Sequence, residues 1–209
     1  MQHLREQTNL VKKKNKRKNN DDLIKQKLIN SILSLLKNKT FSKITMKEIY
    51  FSAKIHPPEA YKVVKNKKDI LILINNYFNE EVYKKTYNIK GSNVNDRIFE
   101  ILMTRFEVLN IHRVAVIKIF DYLIKKPDMF IFFAPLMIDS LKNILELSES
   151  KSDGFFGKMK AEGFLIVYIS IFLVWKKDKT KNLEKTMVAI DNHLKKAEVF
   201  LNLINNKNG

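Results

Sequence analysis

The stretch Phe41 to Leu71, FSKITMKEIYFSAKIHPPEAYKVVKNKKDIL, sets 7 lysines, His56 and Tyr61 against 3 acidic residues. Cationic and hydrogen-bonding side chains in this density suit the neutralisation of phosphate oxygens and the reading of base edges in a groove. Catalytic chemistry is not legible in the chain. His3, His56, His112 and His193 stand apart, no histidine pair has metal-ligand spacing, and neither a Gly-rich phosphate loop nor a nucleophile elbow occurs. With no Cys, disulfides and thiolate metal sites are excluded. An enzyme is not expected, nor a metal or cofactor. His56 differs from the other three because it precedes a short helix, where it can meet a phosphate or a base.

These side chains need helices to hold them. Thr45-Met46-Lys47-Glu48 has the form of a capping box, in which a hydroxyl and a carboxylate each satisfy a free amide at a helix start. The helix that follows carries Met46, Ile49, Tyr50 and Ala53 at three- and four-residue steps, with Ile55 as a plug for the turn. Pro57 and Pro58 suit a first helical turn, since proline lacks an amide and presets the backbone angle. A second short helix therefore starts near Pro57, and Asn66 caps a third with Asp69 three residues on. Two short helices at this spacing form a helix-turn-helix, whose second member can enter the major groove.

From Phe41 to Leu71, without a gap, the stretch resembles the TetR family of bacterial transcriptional regulators. Phe41, Thr45, Ile49, Ala53, Ile55, Tyr61, Lys67 and Leu71 fill the family's aromatic, capping, apolar and recognition-helix positions. It departs from the pattern at Lys54, where Gly is usual, at Val64, where Phe is usual, and at the opening His56-Pro57-Pro58-Glu59. A carboxylate such as Glu59 is repelled by phosphate. The resemblance implies contact with double-stranded DNA by Lys43, Thr45, Lys47, His56, Tyr61, Lys62 and Lys67. Most of these would position phosphates; His56 and Lys62 are best placed for base edges. It also implies that Lys67 meets a phosphate and that the fourth helix acts as a lever between ligand site and DNA.

A chain of 209 residues, 45% hydrophobic and with only 5 Gly and 4 Pro, predicts an all-α protein. The expected architecture is a three-helix helix-turn-helix head followed by an antiparallel helical bundle body, TetR-like. Residues 1–72 hold 18 Lys+Arg against 6 Asp+Glu, a net +12 of the chain's +17. That asymmetry points to a polyanion partner, nucleic acid or an anionic membrane surface. A Lys-, Asn- and Ile-rich composition from an AT-rich genome is the other reading of the total, and it explains the asymmetry less well. No secretion signal is legible at the N-terminus, and the longest uncharged run, Gly163 to Trp175, is short of the roughly 20 apolar residues of a membrane span. A cytoplasmic location is expected.

In order, residues 1–20 read as a basic disordered tail, either simply solvated or an arm that follows phosphates. Asp21 and Asp22 mark a helix start, and Leu23, Ile24, Leu28, Ile32, Leu35 and Leu36 form the stripe beneath the two short helices. The head with its linking helix, Lys67 to about Tyr87, spans residues 21–87. The body, residues 93–206, opens with Asp96 to Arg113, breaks near Asn110 to His112, and continues in a helix ended by Pro127. Pro135 then predicts a kink or a division in the next run. Lys151 to Gly157 reads as a loop, followed by a helix apolar on most sides.

Phe106, Phe120, Phe133, Met137, Tyr168 and Phe172 are candidates to line a pocket for a small apolar effector or lipid, or else to form plain core. Leu183, Met187, Ile190, Leu194, Ala197, Leu201 and Ile204 make a heptad-like seam that packs either within the chain or against a second copy. In TetR-like proteins the last two helices form the dimer interface, so the resemblance implies a homodimer. A narrower resemblance lies in the body. Asp96-Arg97-Ile98-Phe99, Leu102-Met103-Thr104-Arg105-Phe106, Val174-Trp175 with Asp178, and Thr186-Met187 with Asp191 look like a proteobacterial group similar to the TetR-fold accessory proteins of ubiquinone biosynthesis. Its implication is the alternative to DNA reading: lipid or isoprenoid binding, with peripheral membrane contact.

Overall fold

Few residues in this chain can interrupt a helix, and few do. In the computed structural model, which describes residues 2–89, 93–148 and 161–207, every regular element is helical. The order is α1 (Gln2–Asn38), a 3-10 turn (Phe41–Lys43), α2 (Met46–Ala53), α3 (Pro57–Val63) and α4 (Lys67–Thr86). Then follow α5 (Val94–Ile111), α6 (Arg113–Ile124), α7 (Pro127–Leu147), α8 (Ala161–Lys177) and α9 (Glu184–Lys207).

The first helix differs from expectation. It does not begin at Asp21; it runs back through residues 2–20, the segment read as a disordered tail. The physical reason is local. No Gly or Pro falls between Met1 and Asn38, and Lys, Arg, Gln, Glu and Leu are good helix formers whatever their charge. Among the side chains with described burial, the first buried one is Ile24. From there Leu28, Ile29, Ile32, Leu33 and Leu36 are buried against α2, α3 and α4, each contributing about 2 kcal/mol by burial. Leu23, expected in the same stripe, is exposed. The Ser31 hydroxyl donates to the Ile49 carbonyl at 2.9 Å and fixes α2 on α1.

α4 packs on α1 and also on α5 and α7, so one 20-residue helix belongs to both head and body. α6 joins them a second time. The Lys118 ammonium donates to the carbonyl of Lys37, in the last turn of α1, at 2.9 Å, and Tyr122 meets the Phe41 ring edge-on at 4.8 Å.

In the body, α8 packs between α7 and α9, and α9 returns onto α5. Pro135 lies inside α7 without dividing it, because its face is exposed and the carbonyl it deprives of a donor can meet water. The turn between α8 and α9 is latched by Asp178. Its carboxylate accepts from the amide and hydroxyl of Thr180 at 2.9 and 2.6 Å, and from the amide and hydroxyl of Thr186 at 2.8 Å each. Burial opposes its ionisation, but these four donors outweigh it and hold the carboxyl down at about 2. Arg113 completes the latch by donating to the carbonyls of Trp175 and Asp178, 2.6 Å each, at the end of α8. The loop expected at Lys151 to Gly157 lies outside the described residues.

Candidate nucleic-acid interface

The capping box forms as its sequence requires. Thr45 Oγ1 accepts from the Glu48 amide at 3.3 Å, and the Thr45 amide donates to Glu48 Oε2 at 2.9 Å. Lys39 donates to the other carboxylate oxygen, and this contact first, with the Thr45 bonds, holds Glu48 down at about 2. α2 ends at Lys54, whose φ of 53° and ψ of 44° place it in the left-handed region, while Ile55 turns inward as the plug. That backbone is why glycine suits the position.

α3 opens on Pro57 and Pro58, where missing amides cost nothing. It buries Ala60 and, at its end, Val64. The Tyr50 hydroxyl donates to the Val64 carbonyl, tying α2 to the end of α3. Asn66 Oδ1 accepts from the amides of Lys68 and Asp69 at 2.8 and 3.2 Å, and Asp69 accepts from the Lys65 amide at 2.8 Å. Both flanks of α3 are thus pinned, and its outer face is left to solvent.

That outer face carries most of the expected residues. Lys43 in the turn, Thr45 and Lys47 at the start of α2, His56 before α3, and Tyr61 and Lys62 on α3 are all exposed. None of Lys43, Lys47 and Lys62 has an ion pair among the described residues. Thr45 is the mixed case, because its hydroxyl is engaged with Glu48. Glu59 is exposed on the same short helix.

Lys67 is a correction. Instead of facing solvent for a phosphate, its ammonium turns inward and donates to the carbonyls of Phe41, of Ser42 at 3.3 Å and of Ile44 at 2.9 Å. It lies 4.6 Å from the Phe41 ring centroid. Burial pushes it below the usual lysine range, with the Glu48 charge acting in the opposite sense. The cause is geometric: the 3-10 turn aims its carbonyls at the first turn of α4, and a lysine with three protons satisfies them.

Phe51, at the end of α2, was not singled out by the sequence reading, yet it is 88% exposed. It falls between the buried positions Tyr50 and Ala53, and an aromatic off the apolar stripe was the available signal. Lys54 and Lys65 extend the exposed cationic array, Lys65 lying 5.9 Å from the Tyr61 ring centroid.

Comparison with solved structures places this geometry. Over 83% of this chain and 97% of its own, a TetR transcriptional regulator from Nitrosomonas europaea superposes with a TM-score of 0.69 at 12% identity. A TetR transcriptional regulator from Rhodococcus sp. RHA1 matches 80% of this chain and 93% of its own, with a TM-score of 0.53 at 11% identity. The fold is that of the TetR regulators. No protein-family model and no curated protein matches the sequence, so the likeness lies in structure that sequence similarity no longer displays.

The body of this TetR fold holds a cavity of about 110 Å³ between α4, α5, α6, α7 and α8. Of the candidate pocket residues, Phe120, Phe133, Met137, Tyr168 and Phe172 line it. Phe106 does not. It is fully buried behind the wall, stacked on Tyr168 at 5.4 Å and packed on Trp175 at 6.1 Å, because its side of α5 faces α8. Arg105 and Asn75, which the sequence reading did not single out for a pocket, also line it. No helix among the described residues is long and apolar enough to cross a membrane.

Proposed function

We propose that this protein is a DNA-binding transcriptional regulator that works in the cytoplasm as a homodimer, its body responding to a small ligand. The observation that carries the proposal is the face of α2 and α3. Lys43, Lys47, His56, Tyr61 and Lys62 stand on a pinned helix-turn-helix, and the three lysines form no ion pair among the described residues. A fold stabilised elsewhere has no need of such an array, whereas a phosphate backbone does. A dimer is supported by Ile166 and Leu173 on α8 and Met187, Val188 and Val199 on α9, apolar residues that are exposed in the single chain. Within the chain, Leu183, Ile190 and Leu194 of the seam are buried, so those residues pack inward and the outer stripe is the one left for a partner.

The strings that suggested a lipid-binding accessory protein have structural duties in this fold. Arg97 donates to the Ser148 carbonyl at 2.8 Å, Trp175 is buried beneath Arg113, and Asp178 with Thr186 forms the latch. They carry no independent support for that alternative. Substitution of Lys62 and of Lys47 by Ala, singly, tests the DNA proposal. Each change should lower the salt slope of DNA binding by about one, and unchanged slopes for both would exclude this face.

A further inference from the structure

Arg105 is only 3% exposed, yet no carboxylate of the described residues pairs with it. Its Nε donates to the Tyr168 hydroxyl at 3.1 Å and its Nη1 to Asn79 Oδ1 at 2.9 Å. The guanidinium lies 5.4 Å from the Tyr168 ring centroid. Nη2 makes no hydrogen bond among the described residues and, unlike the Trp175 indole nitrogen, is not sealed from solvent. A guanidinium stays charged at any physiological pH, and a buried charge without a counter-ion is costly. Both partners it does have are neutral.

The position of this charge is specific. Arg105 lines the apolar cavity of about 110 Å³ and also a wider, open groove of about 590 Å³ edged by Asn79, Ser140, Glu80, Lys84 and Glu146. It therefore stands at the wall between an oily chamber and a polar approach. We propose that the cavity takes a small monocarboxylate with an apolar tail, its carboxylate seated on Arg105 and its tail between Phe120, Phe133, Met137 and Phe172. The planar fork of arginine matches a carboxylate with two parallel hydrogen bonds. Glu80 and Glu146 on the approach disfavour a polyanion and favour a single negative charge. A cavity of about 150 Å³ holds benzene, so the present one holds a tail of roughly four or five carbons.

Occupancy has a route to the head. Asn79, which accepts from Nη1, lies on α4 and donates to Ser140 Oγ of α7 at 2.8 Å, and Asn75, one turn earlier, shares the same hydroxyl; the second N–H of Nη1 and those of Nη2 remain to grip a carboxylate. A carboxylate on Arg105 is thereby coupled through Asn79 to the contact of α4 with α7, on the helix whose first turn carries Lys67. This inference deepens the regulator proposal and rests on it for the consequence at DNA, though not for binding itself.

The test uses the full chain without DNA, titrated calorimetrically with pentanoate, 1-pentanol and pentylamine. Pentanoate should bind about tenfold or more tightly than 1-pentanol, and pentylamine weakest. In R105Q, pentanoate should fall to the level of the alcohol while alcohol affinity is retained. Equal affinity for acid and alcohol in the natural protein, or no binding of either, overturns the proposal, and so does undiminished pentanoate binding by a folded R105Q. If R105Q loses its helical circular dichroism, the comparison of acid with alcohol in the natural protein decides alone. A sample that prefers pentanoate but ignores DNA overturns the regulator proposal and leaves this one standing.

Discussion

Lys67 and Phe41 are joined twice: the ammonium donates to the Phe41 carbonyl and lies 4.6 Å from the centroid of its ring. The same ring meets Tyr122 of α6 edge-on at 4.8 Å, so one lysine fastens the start of α4, the turn and the body together. Replacing Lys67 by Met should therefore destabilise the fold by about 2 kcal/mol, since it orphans carbonyls that accept from a charged donor. The salt slope of DNA binding should not change. Urea unfolding with a salt titration checks both, and a reduced slope at unchanged stability would return Lys67 to the phosphate-contact set.

Lys54 adopts a left-handed conformation that costs a side-chain-bearing residue about 1 kcal/mol. Lys54→Gly should stabilise the protein by up to that amount, less the added entropy of the unfolded chain. The same change removes an exposed cation from the head, so DNA affinity should fall slightly as stability rises. Opposite movement of the urea midpoint and the DNA affinity is the signature.

Asp178 gives the body an acid limit. Its carboxyl is held at about 2 against an ordinary 3.8, so the folded state prefers the ionised form. The latch contributes its full stability above about pH 4 and loses it as pH falls toward 2. Glu48 behaves in the same sense in the head, between about 4.5 and 2, with a smaller effect because it is partly exposed. Asp178→Asn should be about 2 kcal/mol less stable at neutral pH and should lack that part of the acid dependence. Urea midpoints measured from about pH 6 to about pH 2 separate the two proteins.

Much of this was legible in the sequence because it is local. A capping box, two prolines and an Asn cap each act within four residues, and α2, α3 and α4 start where those signals stand. The long-range features were not. Lys67 reads as a free cation until the turn folds three carbonyls against it, and Phe106 reads as a pocket aromatic until α8 covers its face. Arg105 stands in the sequence only as one member of a string, but its lack of a carboxylate partner among the described residues depends on what α4 and α8 bring near it, which no spacing within α5 encodes. The helicity of residues 2–20 was missed for another reason: charge and low hydrophobicity argue for disorder, whereas the absence of Gly and Pro allows a helix.

Ile166, Leu173 and Val188 leave apolar surface exposed on α8 and α9. Leu173→Glu together with Val188→Glu should convert a dimer to a monomer in sedimentation equilibrium with little change in helical content, because neither side chain is buried in the single chain. DNA affinity should fall with it, since two half-sites are then no longer held at fixed spacing. A protein that remains dimeric would move the interface to another face.

The most direct measurement is binding of the full chain to duplex from the region upstream of its own gene, against a scrambled duplex of equal length and composition, over a salt series. A complex of two protomers, at least about a hundredfold tighter on the natural sequence and weakened about equally at all salt concentrations by Tyr61→Ala, is the expected result. Equal affinity for both duplexes, collapsing together as salt rises, would contradict DNA reading and leave the head a general polyanion surface.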